Sequence, residues 1–106
     1  MRRGDIHWVR FPSPAGVRPA VLVSRDEAYA IKSRVTVVPV TRTVRGIPTE
    51  VRLGVSDGLP KVGVANADEV VTISRDLLRE RIATLSKTKL AELDDALRFA
   101  LALERR

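Results

Sequence analysis

The sequence has no cysteine, a single histidine, and only four aromatic side chains, Trp8, Phe11, Tyr29 and Phe99. Without cysteine, neither a disulfide framework nor a thiolate metal site can form, and nothing points to an oxidising compartment, so the expected location is the cytoplasm. One histidine cannot build a His-rich metal site. No apolar run approaches the roughly 20 residues of a membrane span. Arg3, Asp5 and Arg10 interrupt the N-terminal stretch in which a secretory signal would need its apolar core. The phosphate-binding Gly-Lys-Ser loop, the dinucleotide-binding glycine fingerprint and a His-Glu-x-x-His helix are all missing. No cofactor and no dedicated metal cage are expected.

What is present fits one domain covering residues 1–106, long enough for a single hydrophobic core and too short for two. With 44% apolar and 30% charged residues and no long polar tract, the chain reads as folded rather than disordered. A formal charge of +6 and a pI near 10.7 suggest a polyanionic partner. The whole excess lies in residues 1–52, where ten Lys/Arg face four Asp/Glu, whereas residues 53–106 carry nine of each sign. The basic half is mostly arginine, whose planar fork of donors suits phosphate better than the point charge of lysine does.

Strand signals dominate. Asp5 to Phe11 carries Ile6, Trp8 and Val9 and is followed by the breaker-rich loop Phe11 to Gly16. Pro19 to Ser24 encloses the apolar run Ala20 to Val23, the pattern of a central strand buried on both faces. After a polar turn over Arg25 to Ser33, further strands are predicted at Val35 to Thr43, Pro48 to Leu53, Val62 to Ala65 and Glu69 to Ile73. Pro39 cannot donate to a ladder, so the strand that holds it is expected at a sheet edge or bulged, with one side open. Gly54 to Lys61 reads as a loop, and Ser74 as the cap of a single helical turn. Ser86 is the N-cap expected for an amphipathic helix over Lys87 to Leu103, with Leu90, Leu93, Leu97 and Leu101 recurring at helical spacing. The predicted class is α+β: a small, strongly bent antiparallel sheet or barrel closed by one C-terminal helix.

Few side chains in this pattern carry chemistry. His7 is the obvious general base by residue type, but its place inside the first strand predicts a packing role. Trp8 is expected in the core or an interface rather than stacked on a base. Arg18 lies between a loop and a buried strand in Gly16-Val17-Arg18-Pro19, and the proline after it fixes its backbone as extended. Thr41 and Thr43 share one face of a strand that is expected to be incompletely paired.

At those two places the sequence resembles the MazF/PemK family of toxins. The stretch from Arg2 to Ile6 and then Gly16-Val17-Arg18-Pro19-Ala20-Val21-Leu22-Val23-Ser24 are similar to the family's opening, a Gly-x-Arg-Pro step into an apolar strand. Val38-Pro39-Val40-Thr41, Pro48-Thr49-Glu50-Val51, Val64-Ala65-Asn66-Ala67-Asp68 and the stretch from Ile82 to Leu101 resemble its later blocks, in the same order. The resemblance implies an SH3-like barrel with a terminal helix, acting as a homodimer on single-stranded RNA without a metal and neutralised by an acidic antitoxin. It implies attack by a 2′-hydroxyl on the adjacent phosphate, leaving 2′,3′-cyclic phosphate and 5′-hydroxyl ends, with Arg18 and Thr41 as catalytic residues. Arg3, Ser24, Arg25, Thr43 and Asp68 fall where the family lines its RNA cleft. A guanidinium stays protonated in proteins, so Arg18 suits charge stabilisation and acid duty, and the base is left unassigned. One departure stands out: many relatives carry Glu-Gln shortly before the Arg-Pro step, whereas the loop from Phe11 to Val17 contains no acid. Two other readings share the expected fold. A CcdB-like toxin that binds DNA gyrase and cuts nothing would end in Trp-Gly-Ile, which this sequence does not, and a non-catalytic RNA-binding barrel would leave the Arg18 and Thr41 pairing without a purpose.

Overall fold

The structure, a computed structural model, describes residues 1–103. Seven antiparallel strands and two helices follow one another along the chain: β1 (Asp5–Arg10), β2 (Val17–Leu22), α1 (Ala28–Ile31), β3 (Arg34–Thr41), β4 (Glu50–Leu53), β5 (Gly63–Asn66), β6 (Val71–Ser74), β7 (Leu78–Thr84) and α2 (Lys87–Ala100). Short 3-10 turns lie at Val55–Asp57, Ala67–Glu69 and Arg75–Leu77. The strands pair in the order β4-β5-β3-β2-β1-β7, with β6 also on β3, and curl into a barrel-like sheet whose end strands β4 and β7 are not joined to each other. None of the described helices is long and apolar enough to cross a membrane.

Alternation along β2 and β3 builds two cores back to back. Val21, Val38 and Val40 face one way, into a cluster with Ile6, Val51, Leu53 and the α2 side chains Leu93, Ala96 and Leu97. Ala20, Leu22, Val35 and Val37 face the other way, into a cluster with Val9, Tyr29 and Ile73. β2 is thus central and buried on both faces, as its apolar run predicts. Helix α2 is started by Ser86, whose hydroxyl accepts from the Lys89 amide at 3.1 Å. Its apolar stripe then docks on the sheet, where full burial of Leu93 alone contributes about 2 kcal/mol.

Several expectations need correction. The strand with Pro39 is neither an edge nor open along its length: β3 has β2 on one side and both β6 and β5 on the other. Pro39 falls in the gap on that second side, after β6 has paired Arg34 to Val37 and before β5 pairs Val40 and Thr41. A residue without an N–H is tolerated there because the strand is changing partners as the sheet bends. The polar turn before β3 holds the short helix α1, and β7 lies where no strand was expected. Its Arg79-Glu80-Arg81 run hides any alternation, and pairing with β1 makes it a strand. The last helix ends at Ala100 rather than Leu103, with the Leu103 amide donating back to the Arg98 carbonyl at 2.8 Å.

Candidate active site between strands β2 and β3

The β2–β3 ladder pairs Leu22 with Val37, Val21 with Val38 and Ala20 with Pro39, and goes no further. Pro19, which the register sets opposite Val40, lacks the N–H needed to continue it. Both strands nevertheless run on, and the same register carried two residues further sets Arg18 across from Thr41. At this unzipped end two clefts open, and Arg18, Thr41 and Thr43 line both of them. The larger, about 490 Å³, is bounded also by Trp8, Arg42, Leu59, Lys61 and Val62. The smaller, about 290 Å³, is bounded by Phe11, Pro39, Arg45, Asn66 and Glu69.

Local bonds hold the central pair and leave its reactive atoms free. Gly16 closes the β1–β2 loop in a left-handed conformation (φ +69°), and its carbonyl accepts from the Phe11 amide at 3.0 Å. Two residues on, the Arg18 Nε donates to the Ala15 carbonyl at 3.2 Å, which fixes the stem of the side chain. Both terminal guanidinium nitrogens remain without a partner among the described residues. The Thr41 Oγ1 accepts from the Thr43 amide at 3.3 Å, so its own proton is available to donate elsewhere. The Thr41 backbone is pressed from behind: a Cβ placed on Gly63 would lie 2.7 Å from the Thr41 carbonyl oxygen, so only glycine lets β5 come this close. The side chains of Arg18, Arg42, Arg45 and Lys61 form no ion pair among the described residues, which makes the mouth of both clefts cationic.

The remaining residues singled out from the sequence lie elsewhere. Arg3, Ser24 and Arg25 line a third depression against α2. Arg3 is committed there: Nη2 meets Asp94 Oδ1 at 2.7 Å and Nε donates to the Val23 carbonyl at 3.0 Å. Ser24 Oγ accepts from the Thr36 amide at 2.8 Å, and the carbonyl of Ser24 accepts from Tyr29 Oη at 3.0 Å. Burial pushes the Tyr29 phenol up to about 12. The Arg25 guanidinium makes no hydrogen bond among the described residues. Asp68 Oδ2 accepts from the buried Thr49 hydroxyl at 3.0 Å, a bond that ties the start of β4 to the turn after β5. Thr43 alone of the five joins Arg18 and Thr41.

His7 is buried in β1, with its Nδ1–H donating to the Arg79 carbonyl at 2.8 Å and its Nε2 enclosed without a protein partner. It lines none of the three clefts. Trp8, expected in the core or an interface, is only half buried and forms part of the larger cleft. Sequence reasoning also passed over Phe11, Arg45, Asn66 and Glu69. Asn66 stands inside a block that carried the resemblance, one position in which a polar residue interrupts an apolar strand; the others gave no local signal. Among the described residues no three His, Asp or Glu side chains come together as a metal-holding group.

Comparison with known proteins agrees with this architecture. The profile of the PemK-like, MazF-like toxins of type II toxin–antitoxin systems matches residues 2–101. Endoribonuclease MazF9 of Mycobacterium tuberculosis is 36% identical over 115 residues, covering 97% of this chain and 98% of that protein. The solved structure of Mycobacterium tuberculosis toxin MazF-mt6 superposes with a TM-score of 0.88 at 30% identity, over 95% of this chain and 99% of the other. An endoribonuclease from a mycobacterial species, solved in complex with its cognate antitoxin, superposes at 0.85 with 28% identity, over 100% of this chain and 99% of the other. With a family profile spanning nearly its whole length, the chain belongs to the PemK-like, MazF-like toxin family.

Proposed function

We propose that this protein is a toxin endoribonuclease that cuts single-stranded RNA at defined sequences without a metal ion, with Arg18 and Thr41 as its catalytic residues. The observation that carries this reading is the free end of the β2–β3 pair. A guanidinium anchored by one nitrogen and a hydroxyl with an uncommitted proton stand side by side between two clefts. In the reaction the 2′-oxygen bonds to phosphorus and the bond from phosphorus to the 5′-oxygen breaks. The 2′-hydroxyl proton goes to a base, and the departing 5′-oxygen takes up a proton. The terminal nitrogens of Arg18 donate to the non-bridging oxygens as charge builds on the pentacoordinate phosphorus, and the Thr41 hydroxyl adds a further donor. Because both groups are held by the fold before substrate arrives, little reorganisation is needed during the reaction.

The names of similar proteins support the activity: relatives are called endoribonucleases, and one was solved with its antitoxin. For this chain the reading includes a single domain, action in the cytoplasm, a homodimer and an acidic antitoxin segment. Exposed Val17 and Val62 beside Arg42 and Lys61 at the larger cleft suit such a segment, which would fold on binding. Thr43 is the RNA contact nearest the phosphate. Arg25, whose guanidinium is free, is a contact for a more distant stretch of backbone, while the side chains of Arg3 and Ser24 serve first to hold the loops around it and that of Asp68 to hold the turn after β5.

The test is incubation of wild type and Arg18→Ala with a long single-stranded RNA in EDTA, with the cut ends mapped by primer extension. Discrete cuts leaving 5′-hydroxyl ends are expected from wild type, and cleavage at least about 10³-fold slower from the variant. RNA left intact by wild type across diverse sequences would overturn the reading and turn attention to gyrase binding.

A further inference from the structure

The smaller cleft has a donor and acceptor set of its own. Its floor includes Asn66, 3% exposed, whose Oδ1 accepts from the Asp68 amide at 2.9 Å. That bond fixes which end of the amide faces the protein. Nδ2 has no partner among the described residues, and among them the only fully enclosed side-chain nitrogen or oxygen without one is His7 Nε2, so the Asn66 amino group is unpaired and accessible in a residue that lines the cleft. Three residues on, at the end of the 3-10 turn that follows Asn66, the exposed Glu69 lines the same cleft, and its carboxylate makes no hydrogen bond or ion pair among the described residues. Phe11 supplies an aromatic wall, and Arg18 and Thr41 close the side where the scissile phosphate would sit. At about 290 Å³ the space is at the small end of ligand sites, which suits one base rather than a length of chain.

A free carboxylate beside a phosphate site is electrostatically costly for a protein that binds RNA, and Coulomb repulsion grows wherever water is excluded. It is tolerable where the substrate offers donors to it. Single-stranded RNA is read by stacking splayed bases on aromatic rings and by hydrogen bonds to their Watson–Crick edges. Only guanine presents two adjacent donors on that edge, N1–H and the N2 amino group, with an acceptor, O6, beside them. The two oxygens of a carboxylate accept the pair, and an amide nitrogen donates to O6. Adenine and cytosine each offer one donor flanked by an acceptor, and uracil sets a carbonyl on both sides of its N3–H.

We propose that the smaller cleft is a guanine subsite for a nucleotide flanking the scissile phosphate, with Glu69 accepting from N1–H and N2, Asn66 Nδ2 donating to O6, and Phe11 stacking on the ring. This rests on the assignment of Arg18 and Thr41 to the phosphate. Glu69 is then a specificity-determining residue, and its charge makes discrimination against the other bases stronger than binding alone would.

The experiment uses the purified full chain and short RNAs that differ only in the two nucleotides around the cut, with inosine, which lacks the N2 amino group, as a further replacement for guanine. Wild type is expected to prefer guanine at one of these positions by about tenfold or more, and to lose much of that preference with inosine. Glu69→Gln should lower cleavage of the guanine substrate about tenfold while changing the best non-guanine substrate little. Asn66→Asp keeps the oxygen that caps the turn and loses the donor, so it should erase the same preference without unfolding the protein. Absence of a guanine preference at both positions would overturn the subsite, as would an equal loss on all substrates in Glu69→Gln, which would place the carboxylate in the chemistry instead. If wild type cuts none of the RNAs and no longer RNA either, the nuclease reading fails and the subsite falls with it.

Discussion

Arg18 and Arg3 both lie within two residues of a glycine near the start of a strand, yet they end in opposite circumstances. Arg3 sits against α2 with Nε and Nη2 committed to Val23 and Asp94, and its backbone amide donates to Asp26 Oδ1 at 2.7 Å. Arg18 sits at the unzipped end of β2 with only Nε engaged. The two ends of the sheet thus use one residue type in two ways. Around α2, Arg3, Asp94 and Ser24 are bonded within the protein and fasten chain segments, and Arg25 alone of the sequence-selected residues there is free. At the β2–β3 end Arg18 and Thr41 are anchored at one atom and left unsatisfied at the next, which is the state a binding site needs before its ligand arrives. Pairs of free donors facing one another, rather than net charge, set the candidate site apart from the α2 end.

Substitutions at the two ends should separate along the same line, and the largest effect is expected at Arg18. Arg18→Lys keeps the charge and loses the fork, so kcat should fall between about 10²- and 10³-fold with an unchanged Tm; near wild-type cleavage would mean that a point charge is enough. Next comes the support of the α2 end. Tyr29 is raised from 10.0 to about 12, so the folded state holds its proton more tightly than the unfolded chain does. Stability from this group is complete below pH 10 and drains away as pH rises toward 12, by up to about 3 kcal/mol. Denaturant titrations of wild type and Tyr29→Phe should therefore converge and cross over that interval, and parallel curves would remove the burial argument.

Gly63→Ala sharpens the contrast from inside the scaffold. The new methyl would press on the Thr41 carbonyl, so the variant should lose about 2 kcal/mol of stability. It should also cleave more slowly at temperatures where it is still folded. A variant that is less stable but fully active would show that Thr41 need not be held so closely. The smallest effect belongs to Arg3→Ala, which breaks a partly exposed ion pair and should cost about 1 kcal/mol. Cleavage per folded molecule should stay the same, and a selective rise in KM for RNA would instead place Arg3 in the binding surface.

The sequence made much of the fold legible, for particular reasons. The run Ala20 to Val23 had to be buried on both faces, and the leucine spacing after Ser86 had to be a helix lying on something apolar; both are present. β7 was not legible, because an edge strand with three charged residues in succession owes its conformation to its neighbour β1 rather than to its own pattern. Pro39 misled for a related reason: its missing N–H restricts where a strand can be paired, and an edge is only one of the places that satisfy the restriction. In the candidate site, Arg18 and Thr41 stood out through the motif around them. Glu69, Asn66 and Phe11 did not, since they come from two distant stretches of chain that meet only at the smaller cleft.

The sequence by itself determined the basic half, the family to which the chain belongs, the strand-rich class with its last helix, and the order in which the Arg-Pro step and the threonine strand occur. These depend on composition and short-range spacing, which folding does not alter. Only the tertiary structure decided which arginines are spent on the fold and which stay free, and that the β2–β3 ladder stops at Ala20 and Pro39 so that Arg18 faces Thr41. It also decided that the asparagine ending β5 and a glutamate from the turn after it complete a cleft beside them. Register, burial and hydrogen-bond partners are set by which strands become neighbours, and such long-range pairing leaves no local trace in the chain.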